Sequence, residues 1–108
     1  MSTRNSGITT DPNLIIRNLM PPDVNKLPLA DYNSTRDSFV NDANSVFKKS
    51  EARLEELLME GRLDTKEKKR VFSDMKNSIR ELLQFNLNGD AYEFTIRYIS
   101  IQQKYVIH

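Results

Sequence analysis

The 108-residue chain contains no cysteine, a single histidine at its last position and only three glycines. Without cysteine there is no disulfide framework, no thiol nucleophile and no thiolate-ligated metal or iron–sulfur centre within the chain. His108 is terminal, where a side chain is seldom held firmly enough to direct a proton transfer, so a histidine-based triad or zinc site would need groups from elsewhere. Gly7, Gly61 and Gly89 stand far apart, and Lys48-Lys49 has no loop signature beside it, so a glycine-rich phosphate cradle is not encoded. A di-metal helical bundle of the Glu-x-x-His type is excluded for want of an internal histidine. No cofactor is expected.

Long apolar runs are missing too. The Met-Ser-Thr-Arg start lacks the apolar core of a signal peptide, and Arg97 and Lys104 interrupt the apolar C-terminal region. These features predict a cytoplasmic or otherwise intracellular protein with no membrane partner. Asn33-Ser34-Thr35 matches a glycosylation acceptor, which without an export signal is read as chance.

What the chain does have is apolar residues at helical spacing, and they predict an all-α fold. Residues 1–10 are polar and read as a disordered tail. Residues 11–33 form a leader. In it Asp11-Pro12 can cap and begin a short helix carrying Leu14, Ile15, Leu19 and Met20, and a proline-containing connector follows. A piece this short cannot stand alone, so it either docks on its own domain or fills another protein's groove.

Residues 34–108 form the helical domain. A first long helix is expected over about residues 34–60, capped by Ser34, with Phe39, Ala43, Val46, Phe47, Ser50, Leu54, Leu57 and Leu58 in its stripe. Gly61 provides a left-handed stop. Asp64 with Glu67 caps a second helix carrying Val71, Phe72, Met75, Ile79, Leu82 and Leu83. The short connection predicts an antiparallel helical hairpin.

Asn88-Gly89 is then a turn signal. Beyond it, Tyr92, Phe94, Ile96 and Tyr98 alternate as in a strand, while Tyr92, Ile96 and Ile99, joined by Tyr98, Ile101 and Tyr105, also fit helical faces. A third helix buries more than an isolated short β-hairpin can, so a C-terminal helix is expected, with a strand or short β-hairpin as the alternative.

Two function classes follow. The first is a noncatalytic protein–protein interaction module, whether an assembly subunit or a regulator. Its partner contacts would be Leu14, Ile15 and Leu19 in the leader and Tyr98, Ile101 and Tyr105 near the end. The apolar excess of the last segment points to a homo-oligomer or a protein partner. The second class is a nucleic-acid-binding regulator or packaging factor.

Net charge is only +1, but residues 36–60 carry four basic and six acidic groups, whereas residues 61–80 carry seven basic and three acidic. The candidate contacts are Arg62, Lys66, Lys68, Lys69, Arg70 and Lys76, around and beyond the start of the second helix. The aromatic set Tyr92, Phe94, Tyr98 and Tyr105 offers base stacking as a further form of that reading. The carboxylates Glu51, Glu55, Glu56 and Glu60 read as a solvated helix face, so no enzyme activity and no small-molecule substrate are expected.

Overall fold

The computed structural model describes residues 11–20 and 32–106, excepting the side chains of 32–34 and 106, and every described element is helical. The expected tail over 1–10 and the proline-containing connector lie outside the described residues. The helices are α1 (Pro12–Leu19), α2 (Tyr32–Met59), α3 (Thr65–Gln84) and α4 (Asn88–Val106).

Local chemistry accounts for most of the boundaries. Asp11 caps α1, its carboxylate accepting from the Asn13 amide at 3.0 Å, with Pro12 supplying a preset φ in the first turn. α2 begins at Tyr32, upstream of the expected Ser34 cap; a capping residue marks where a helix can start, not where it must. The Asn33-Ser34-Thr35 sequon accordingly lies in its first turns.

α2 ends in a Schellman closure. Arg62 donates its amide to the Leu57 carbonyl at 2.8 Å and Gly61 donates to Leu58 at 3.1 Å, with Gly61 at φ +69°. Two residues later the Asp64 carboxylate accepts from the Glu67 amide at 2.8 Å and starts α3.

The end of α3 repeats the device with another residue. Asn86 takes the left-handed position at φ +63°, Leu87 donates to Leu82 at 2.9 Å and Asn86 donates to Leu83 at 3.0 Å. The expected Asn88-Gly89 turn is therefore displaced, and those two residues open α4. Asparagine tolerates the left-handed region well enough for the chain to reverse two residues early.

Side-chain contacts fix the directions of the helices. The loop joins the end of α2 to the start of α3, while Phe39 stacks on Phe85 at 4.5 Å, bringing the start of α2 to the end of α3. Those two helices are antiparallel. α4 runs parallel to α2, because Arg36 meets Asp90, Phe47 meets Phe94 at 5.1 Å and Tyr105 meets Glu55 in ascending order along both helices. α1 packs across α3 and α4.

One core joins all four helices, including Leu19 of α1, Phe47 and Leu54 of α2, Met75 and Ile79 of α3, and Phe94, Tyr98 and Tyr105 of α4. Burial in α4 recurs at Ala91, Phe94, Thr95, Tyr98, Ile101 and Tyr105, a helical period; the strand alternative is not realised. Tyr92 and Ile96 lie on another face of the helix and are exposed. Thr95 is tolerated in the core because its hydroxyl donates to the Ala91 carbonyl at 2.7 Å.

Candidate functional site

The two groups of residues expected to meet a protein partner occupy different surroundings from those the sequence suggested. Leu19 is buried in the core, Ile15 is packed against it, and Leu14 alone remains 40% exposed. Tyr98, Ile101 and Tyr105 are all at least nine-tenths buried in the same core. The structure thus brings the two groups together inside one molecule. α1 adds to what α2 and α3 cover of α4, and Tyr92 and Ile96 remain exposed.

Burial shapes the chemistry of those tyrosines. Loss of solvent pushes the Tyr98 hydroxyl up to about 12 from its usual 10.0. Tyr105 is also pushed up to about 12, first by burial and then by the Glu55 carboxylate, which accepts its hydrogen bond at 2.7 Å. Both stay neutral at ordinary pH and serve as packing groups with a polar end. Of the four aromatics considered for base stacking, Phe94, Tyr98 and Tyr105 are buried and only Tyr92 is open.

The basic residues of α3 have a different fate. Lys66, Lys69, Arg70, Lys76 and Arg80 are exposed, and at 100° per residue they fall within about a third of the helix circumference, opposite Val71, Met75, Ile79 and Leu82. Lys66 and Arg80 are separated by about 21 Å of helix rise. Lys68, half-buried, falls on the inner side, where its stem can cover apolar surface, and leaves the stripe. Arg62 lies at the loop and is paired with Glu60 at 2.8 Å.

Several charges elsewhere are matched within the chain. Glu51 lies 3.6 Å from Arg97, Glu55 accepts from Tyr105, Glu56 pairs with Arg53, and Glu60 pairs with Arg62. Arg36 donates twice to Asp90, both at 2.9 Å. By contrast, among the described residues Lys66, Lys69, Arg70 and Lys76 have no ion pair, and Arg80 donates to the neutral side chain of Asn77 at 2.8 Å. The weak overall charge therefore conceals a strip of cations without ion pairs, flanked along one side by the exposed carboxylates of Asp74 and Glu81.

Sequence reasoning missed the polar seam between α2 and α4. Arg97 lies about 5 Å from the Phe47 and Phe94 ring centroids and donates to Asn44 at 2.8 Å, beside the Arg36–Asp90 pair. No spacing rule links Arg97 to Asn44 or Arg36 to Asp90, pairs that lie more than fifty positions apart. Among the described residues no group of three potential metal-ligating side chains converges, and no helix is long and apolar enough to cross a membrane. Compared with protein-family models, curated proteins and solved structures, the chain matches none.

Proposed function

We propose that the chain is a noncatalytic helical interaction module whose binding surface is the outer face of α3 and whose partner is a nucleic-acid backbone. The scaffold for this reading is the α2–α3 hairpin with α4 as its third helix. The observation that carries it is the strip of Lys66, Lys69, Arg70, Lys76 and Arg80, which lacks internal ion pairs while the carboxylates of α2 are mostly engaged. Unpaired cations along one line attract an extended polyanion and release its counterions on contact.

The arrangement favours phosphate contact over base reading. A recognition helix reads base edges with residues near its N-terminus, whereas these cations continue to Arg80, four turns on. α3 is also one of two long antiparallel helices rather than half of a compact, near-perpendicular pair. The expected behaviour is weak sequence preference and strong salt dependence.

Fluorescence anisotropy with a labelled duplex at several salt concentrations tests this. Five phosphate contacts give a slope of about −4.5 in log affinity against log salt. Replacing Lys66, Lys69 and Arg70 by glutamine reduces that slope by about 2.7 and weakens binding at low salt, while leaving the helical circular dichroism unchanged. Absence of low-salt binding to both duplex DNA and RNA sinks the proposal, as does wild-type affinity in the triple variant.

A further inference from the structure

The α2–α3 hairpin carries a second feature outside the basic strip: an open groove of about 460 Å³. Val46, Ser50, Val71 and Ser78, buried or half-buried, form its floor. Its rims carry opposite charge, with exposed Lys49 and Arg53 on α2 and exposed Asp74 and Glu81 on α3. No ion pair among the described residues joins the rims: Arg53 turns to Glu56 on its own helix, and Lys49, Asp74 and Glu81 have none. Ser50 is 5% exposed, and its hydroxyl makes no hydrogen bond to any described residue.

We propose that this groove is the interface of a homodimer. A two-fold axis along the groove sets the cationic α2 rim of one copy over the acidic α3 rim of the other, and the reverse contact follows by symmetry. The surface is thereby self-complementary in charge, as an isologous contact requires, and this complementarity selects a second copy as occupant. The floor supplies apolar and small side chains for close approach, while the rim charges set register and reject misaligned pairings. Exposed ion pairs contribute little affinity individually, so the dimer is reversible and salt-sensitive. Lys66, Lys69, Lys76 and Arg80 lie outside the groove lining.

Sedimentation velocity of the full chain over a concentration series provides the test, with circular dichroism to verify each variant's fold. The wild-type chain dimerises as its concentration rises. Lys49→Glu with Arg53→Glu makes both rims acidic and weakens self-association at least tenfold; Asp74→Lys with Glu81→Lys makes both basic and does the same. Mixing these two double variants restores the dimer mass as a heterodimer, and combining all four changes in one chain restores the homodimer.

If a reversed rim prevents folding, the neutral pairs Lys49→Gln with Arg53→Gln and Asp74→Asn with Glu81→Asn take its place and weaken association in the same direction. A wild-type monomer at the highest soluble concentration overturns the proposal. So does undiminished dimerisation of both rim variants, or failure of their mixture to associate.

Discussion

Tyr98 shows how a single side chain couples burial to stability. It is 2% exposed, meets Phe72 edge-on at 5.7 Å, and has its hydroxyl pushed up to about 12 by loss of solvent. The folded value lies above the ordinary 10.0, so the stability this group contributes is fully present below pH 10 and is lost as pH rises through 12. Tyr98→Phe keeps the ring and removes the titration. In denaturant unfolding between pH 9 and 12, the variant is expected to lose about 2–3 kcal/mol less than wild type. Equal alkaline losses in the two proteins would dismiss the burial account. The sequence displayed Tyr98 as a candidate contact, but aromatic character alone does not distinguish an inner from an outer face.

At the scale of the elements, the helix ends were the most legible parts of the chain. Asp11, Gly61 and Asp64 act as their residue types suggest, since capping depends on a few adjacent backbone groups. Gly61 and Gly89 provide a contrast of sign. A Cβ meets nothing within 4 Å at either, yet Gly61 has φ +69° and Gly89 lies in the first turn of α4. Gly61→Ala is expected to cost about 1 kcal/mol from backbone strain alone. Gly89→Ala is expected to add about 0.5–1 kcal/mol by restricting the unfolded chain. Chemical denaturation of the two variants checks both, and shifts of the same sign would contradict the backbone argument. Asn88-Gly89 misled as a turn because Asn86 already supplied the left-handed residue.

At the scale of the whole molecule, α1 is part of the fold. Leu19 is buried in the common core, while Leu14 on the same short helix is 40% exposed. Leu19→Ala is expected to cost about 2–3 kcal/mol, with Leu14→Ala within about 0.5 kcal/mol of wild type. Thermal unfolding distinguishes them, and two equal, negligible effects would return α1 to the status of an undocked leader. This packing also reorders the functional candidates. Apart from Leu14, the apolar residues expected to recruit a partner are used internally, whereas the cations of α3 and the charged rims of the groove remain at the surface.

Periodicity by itself determined the two long helices and the buried stripe of α3, because a 3.6-residue repeat of apolar side chains leaves little choice of local structure, whereas the last segment fitted strand and helix alike. It also displayed the charge change around Gly61, which is a property of composition. Only the tertiary structure decided whether Tyr98, Ile101 and Tyr105 face inward, whether α1 covers α4, and which charges find partners. Those outcomes depend on contacts such as Arg36 with Asp90 and Tyr105 with Glu55, between residues fifty or more positions apart. Local spacing carries no record of such distances, and the packing of four helices sets them together.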